Sequence, residues 1–277
     1  MSKIGFVIDS TFGYQGKDDV SIVPLKVIIN DKEYVDGQID PKIVVEALKN
    51  KDDVKTSQPT PNAFVEAFEK QFELGYEHVI CLTISSTLSG TINGASVAKS
   101  IVENENITII DTKTVSVGSE YILEEALKFA ETNSNVDEVI AYINTLITKG
   151  SIIFSVDELS TLVKNGRLSR VQAILGSLLR IKPILRFKEG VLTVENKVRG
   201  LMGVLKYISE QVVEMLDKNN IIVRITYVDN LEYASNLKQN IIGLNNDKVD
   251  VQIRSILSPV VSSHVGLGGM GIYLAYK

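Results

Sequence analysis

The sequence predicts an α/β protein of two α/β domains, the first with a mainly parallel sheet flanked by helices and the second with a mixed sheet. Three observations carry this reading. From residue 78 to residue 147 short apolar runs alternate with stretches of helical periodicity, a pattern that builds parallel strands joined by crossover helices. Residues 183–198 instead read as two strands around Lys188-Glu189-Gly190, which adds an antiparallel pair. The length of 277 residues is roughly 1.8 times a typical domain of about 150.

In chain order, residues 4–8 form a continuous apolar run that ends in Asp9-Ser10-Thr11, as a buried strand opening into a polar loop would. Residues 20–29 look like a second such strand. Helical spacing follows Pro41, with Ile43, Val44, Ala47 and Leu48, and follows Pro61, with Phe64, Phe68 and Phe72; each proline suits a first helical turn. Then come strand 78–84, helix 93–102, strand 107–110 and helices 119–130 and 136–147. Strand 152–156 closes the first unit, which sets domains at 1–155 and 156–277. The second has a turn at Asn165-Gly166, an amphipathic stretch 171–179 and the strands 183–187 and 191–198. Helix 201–216, strand 221–228, helix 231–242 and strands 249–257 and 271–275 complete it.

Composition excludes several classes. With 44% hydrophobic and 23% charged residues, 19 Gly and 6 Pro, the chain is neither collagen-like nor disordered. A net charge of −5 argues against wrapping nucleic acid or an anionic membrane. One cysteine, Cys81, forbids an internal disulfide and reads as a small buried hydrophobe, and two histidines and four methionines leave little for a soft metal; neither metal nor cofactor is expected. The apolar run 4–8 is too short for a signal peptide, and nothing approaches the roughly 18 residues that span a bilayer. The chain reads as soluble and cytoplasmic, without stable membrane insertion.

Gly266-Leu267-Gly268-Gly269-Met270-Gly271 fits a dinucleotide fingerprint in form, yet only six residues follow and no helix can be opened there. These glycines read as a tight turn or close approach after His264. There is no Walker A motif and no G-x-S-x-G elbow. His78 begins a strand and reads as a capping or surface residue, whereas His264 sits in a loop beside the glycine run.

Two hydroxyl-rich turns stand out, Thr56-Ser57-Gln58-Pro59-Thr60-Pro61 and Ser85-Ser86-Thr87-Leu88-Ser89-Gly90-Thr91. Hydroxyls and N–H groups at a helix start bind anions well, although capping explains part of the pattern; the second loop exceeds what one cap requires and reads as an anion or carboxylate site. Between Leu159 and Lys188 stand Lys164, Arg167, Arg170, Arg180, Lys182, Arg186 and Lys188 with no acidic residue. Such a segment is a solvated face, a phosphate-handling site or a docking surface for an acidic partner. It lacks stacking aromatics, which argues against nucleic acid.

In order, Asp9-Ser10-Thr11, Thr56-Ser57-Gln58-Pro59, Ser85 to Thr91, Asp111-Thr112, Asn165-Gly166-Arg167-Leu168-Ser169, Lys182-Pro183-Ile184-Leu185, Lys197-Val198-Arg199 and His264-Val265-Gly266 resemble the DegV family of bacterial fatty-acid-binding proteins, nearly end to end. The resemblance implies a long-chain fatty acid buried between two α/β domains. It also implies a non-catalytic role, as the binding subunit that presents the fatty acid carboxylate to a separate ATP-dependent kinase subunit for acyl-phosphate formation. By the same resemblance the carboxylate ligands fall on Thr56 and Ser89 with His264 close by, Ser57, Ser86, Gly90, Thr91 and Gly266 support them, and Arg167 serves kinase engagement or phosphoryl transfer. Leu267 stands where many relatives have proline.

Two other classes are weighed beside it. A serine-dependent hydrolase or acyltransferase would use Ser89 or Ser86 with His264 and a third group to orient the ring. A nucleic-acid regulator would use the basic segment with strongly salt-dependent binding.

Overall fold

The computed structural model describes residues 3–16, 19–168, 181–216, 220–244 and 247–277. The expected stretch 171–179, Arg170 and Arg180 lie outside the described residues. Strand β1 (Ile4–Asp9) ends in a single 3-10 turn (Ser10–Phe12), followed by β2 (Val20–Val23), β3 (Lys26–Ile29) and β4 (Lys32–Val35). Helix α1 (Pro41–Asn50), β5 (Val54–Ser57), α2 (Pro61–Glu73), β6 (His78–Thr83), α3 (Thr91–Val102), β7 (Ile107–Asp111), α4 (Val117–Thr132) and α5 (Val136–Lys149) continue the chain. Next are β8 (Gly150–Ser155), α6 (Ser160–Lys164), β9 (Ile181–Lys188), β10 (Val191–Arg199) and α7 (Gly200–Leu216). The last elements are β11 (Ile221–Tyr227), α8 (Leu231–Ile242), β12 (Val249–Ile256), α9 (Pro259–Val265) and β13 (Met270–Tyr276).

The α/β expectation holds. A parallel sheet runs in the order β2-β1-β6-β7, and a mixed sheet runs β10-β9-β8-β13-β11-β12. Local chemistry explains the boundaries. Asp40 and Thr60 cap α1 and α2, their side chains accepting from the N–H groups of Lys42 and Ala63, with proline in each first turn. Glu189 and Gly190 both take positive φ, 52° and 84°, as a two-residue hairpin turn between β9 and β10 requires.

Three expectations are corrected. The run 20–29 is two strands: Pro24 has no N–H for a ladder, so β2 joins the parallel sheet while β3 leaves it for a separate antiparallel sheet of order β4-β3-β5. Residues 152–156 do not close the first unit, because β8 pairs with β13 and β9; by sheet membership the chain divides at Lys149–Gly150, not after residue 155. His264 lies in the last turn of the short helix α9 rather than in a loop.

One continuous core joins the two large sheets. Ile8 and Leu82 of the parallel sheet, Ile122 and Leu123 of α4, and Ile152, Phe154 and Ile222 of the mixed sheet belong to a single buried cluster. Helix α4 touches β6 on one side and β8, β11 and β13 on the other, so it is the layer between them. Helices α7 and α8 cover the far face of the mixed sheet, and α2 and α3 cover the far face of the parallel one. The small sheet packs on α1 and on Val260 of α9.

Candidate functional site

A cavity of about 390 Å³ lies where the three sheets meet, and its wall is mostly apolar. Ile84 and Leu88 come from the β6–α3 connection, Val115 and Val117 from the start of α4, Phe154 from β8, and Phe187 and Leu192 from the β9–β10 hairpin. The polar lining residues cluster: Thr56, Ser57 and Gln58 at the end of β5, Ser89 and Gly90 before α3, Arg167 after α6, and His264 on α9.

Thr56 and His264 meet directly, Oγ1 to Nε2 at 2.8 Å. The β3–β5 register sets Thr56 opposite Val27, and α9 packs on both strands, which brings the ring to the hydroxyl. Burial drives the His264 pKa down to about 4, with the Arg167 charge adding to the effect; the imidazole is therefore neutral near pH 7. Its Nδ1 is buried with no partner among the described residues.

The loop of residues 85–91 divides its hydroxyls among three tasks. Ser85 Oγ donates to the Gly190 carbonyl at 2.9 Å, and Thr87 Oγ1 donates to the same oxygen, so these two staple the hairpin turn. The backbone N–H of Ser86 donates to Asp111, and its side chain is exposed. Ser89 lines the cavity; its Oγ shares a 2.8 Å bond with Thr91 Oγ1 and accepts from the Thr91 N–H. A side chain at Gly90 would sit 2.5 Å from Gln58 Oε1, so glycine lets the loop close on the 56–58 turn. Thr56, Ser57, Ser89, Gly90, His264 and Arg167 thus share one wall. Ser86, Thr91 and Gly266 are not on it.

Arg167 donates from Nε to the Leu88 carbonyl at 3.1 Å and from Nη1 to the Asn165 carbonyl at 2.5 Å. Asn165 Nδ2 reaches the Ser263 carbonyl of α9 at 3.3 Å. The rest of the described basic segment is neutralised: Lys164 faces Asp53, Lys182 pairs with Asp157, and Arg186 and Lys188 share Glu195. Among the described residues of that segment, only Arg167 bonds to carbonyls rather than to a carboxylate.

The pairing a serine hydrolase needs is not assembled. Among the described residues His264 Nε2 is taken by Thr56, its Nδ1 has no orienting group, and the bonds of Ser89 go to Thr91. Among the described residues no three His, Cys, Asp or Glu side chains are grouped to hold a metal, and no helix is long and apolar enough to cross a membrane. His78 Nε2 bonds Thr108 Oγ1 at 2.9 Å, and Cys81 is buried and unpaired.

Two buried carboxylates, Asp9 and Asp36, are absent from the expected site residues. Asp9 accepts from the Ile84 and Thr11 N–H groups and the Thr11 hydroxyl, and burial pushes its pKa up to about 6 despite those bonds. Asp36 is likewise buried, without a cation bonded to it among the described residues. The signal for Asp9 was its place at the carboxyl end of a buried strand; Asp36 carried none.

A family model described as an uncharacterised protein of the DegV family matches residues 3–277. The chain belongs to the DegV family. The DegV domain-containing protein SAR1438 of Staphylococcus aureus is 29% identical over 284 residues, covering 100% of both chains. Among solved structures, a fatty-acid-binding DegV family protein of Thermus thermophilus superposes with a TM-score of 0.90 at 28% identity, covering 100% of both chains. DegV of Bacillus subtilis, a fatty acid binding protein, gives 0.87 at 26%, again over 100% of both. The Fak B3 protein of Streptococcus pneumoniae fatty acid kinase, loaded with linoleic acid, gives 0.87 over 100% of both chains at 22% identity, a likeness that shows the fold alone.

Proposed function

We propose that this chain binds a long-chain fatty acid in its central cavity and presents the carboxylate, at Thr56, Ser89 and His264, to a separate ATP-dependent kinase subunit. The observation that carries this reading is the single polar wall, centred on the 2.8 Å Thr56–His264 bond, in an otherwise apolar cavity. An acyl chain gains about 0.8 kcal/mol per buried methylene, so a chain of roughly 15 methylenes gains at most about 12 kcal/mol. One hydrogen bond to a charged group contributes about 1.5–3 kcal/mol. Chain burial supplies affinity and the hydroxyls set orientation.

The proton inventory fits a carboxylate. Thr56 has one hydroxyl proton; to donate it to the ligand, Oγ1 must accept from His264. That selects the neutral Nε2–H tautomer, consistent with the lowered pKa of the buried ring. No cation is bonded to Thr56 or Ser89 among the described residues, so the bound carboxylate stays available as a nucleophile. In the kinase step one carboxylate oxygen attacks the γ-phosphorus of ATP, forming the acyl-phosphate O–P bond and releasing ADP. In this reading the chain binds and orients, and Arg167, which lines the same cavity and has no carboxylate partner among the described residues, meets the phosphoryl group or the kinase.

Mass spectrometry of the purified protein, native and then after solvent extraction, tests the carrier reading. A stoichiometric fatty acid is the expected result. Its absence, together with failure of added fatty acid to bind, would overturn the reading and make serine-directed covalent labelling the next measurement.

A further inference from the structure

Helix α9 spans seven residues, Pro259–Val265, too short for its own hydrogen bonds to fix where His264 lies. Both of its ends are tied to the small sheet. At the C-terminal end His264 Nε2 meets Thr56 of β5 at 2.8 Å. At the other end the Asp36 carboxylate, one residue beyond β4, accepts from the Val260 N–H at 3.2 Å. Val260 and His264 are four residues apart and so share a helix face, about 6 Å apart along the axis. Val260 packs among Val27 and Val54, and Val27 pairs with Thr56. That face is the one turned to the small sheet.

Asp36 is only 3% exposed, and its surroundings are all donors of the neutral kind. Ser10 Oγ donates to Oδ2 at 2.7 Å, and that hydroxyl accepts from the N–H of Leu25, a cavity-wall residue, at 3.0 Å. The Asp36 charge helps to raise the pKa of the neighbouring Asp9, of like sign. A buried carboxylate with no cation costs free energy that hydrogen bonds must offset. What this one gains is a junction between β1, the small sheet and the start of α9.

We infer that Asp36 is a positioning residue for the head-group wall: by holding the first turn of α9 to the end of β4, it sets the rotation of the helix that carries His264 onto Thr56. The inference rests on the proposed role of His264, but its test does not require fatty acid. The chain has two histidines, and His78, bonded to Thr108 on the parallel sheet, serves as an internal control. Imidazole NMR titration of the ligand-free protein reads both rings, with Arg167 the charged group acting on His264.

Asp36→Ala should move the His264 midpoint from about 4 toward the ordinary 6.5 while leaving that of His78 in place. Asp36→Asn keeps an oxygen for Val260 and should restore the wild-type midpoint, which a generally loosened fold would not do. An unchanged His264 midpoint in folded Asp36→Ala overturns the inference. Should that variant fail to fold, Asp36→Leu fills the same buried space without an acceptor for the Val260 N–H, and an unchanged midpoint there overturns it equally. Fatty acid binding to the wild type, measured in parallel, separates failure of the carrier reading from failure of this one.

Discussion

Arg167 Nε donates to the Leu88 carbonyl at 3.1 Å, so the turn that follows α6 holds the loop carrying Ser89. The same guanidinium closes on Asn165, and Asn165 reaches α9; one side chain braces both halves of the polar wall. Arg167→Ala should leave fatty acid bound while lowering kinase-dependent acyl-phosphate formation at least tenfold. Arg167→Lys should not restore it, because an ammonium lacks the planar fork that reaches two carbonyls at once. Unchanged turnover in a reconstituted assay would remove Arg167 from the mechanism.

Ser89→Ala should impair acyl-phosphate formation more than ligand retention. One hydrogen bond of about 1.5–3 kcal/mol is lost from the head group, against up to about 12 kcal/mol from the chain. Comparing retained fatty acid with turnover checks this, and equal loss of both would defeat the division between affinity and orientation.

Asp9 and His264 give stability opposite dependences on pH. The Asp9 pKa is raised from 3.8 to about 6 in the fold, so its contribution is fully present below 3.8 and is lost as pH rises through 6. The His264 pKa is lowered from 6.5 to about 4, so its contribution is present above 6.5 and is lost as pH falls through 4. Between these limits the two offset each other. Relative to the wild type, Asp9→Asn should therefore gain stability from pH near 4 to pH near 6 and His264→Gln should lose it, each on the order of 1–3 kcal/mol. Asp36 and Glu120, also raised by burial, act in the Asp9 sense in every variant. Urea unfolding at both ends of the window measures the difference; parallel curves for all three proteins would refute it.

Ser85 serves structure where Ser89 serves the ligand. Ser85→Ala removes a 2.9 Å bond to Gly190 and should cost about 1 kcal/mol of stability with fatty acid affinity unchanged. A calorimetric titration showing weakened binding at unchanged stability would reverse the assignment.

Much of this molecule is determined by neighbours in the chain. The prolines at 41 and 61 behind capping residues start α1 and α2. Glu189-Gly190 turns the β9–β10 hairpin, and alternating apolar runs build the parallel sheet. Ordered strings from Asp9 to Gly266 identified the family. Each of these signals acts within a few residues, so one sequence suffices to read it. Tertiary structure alone decided the rest. It sent β3 and β8 into other sheets than their apolar runs implied, and it neutralised most of the described basic segment with Asp53, Asp157 and Glu195. It also divided one loop's hydroxyls between the Gly190 staple and the cavity wall. A hydroxyl or a base has the same local pattern whichever partner it meets, and that partner is chosen by packing. Thr56 and His264 stand 208 positions apart, a distance no periodicity spans; only the docking of α9 on the small sheet brings them within a hydrogen bond.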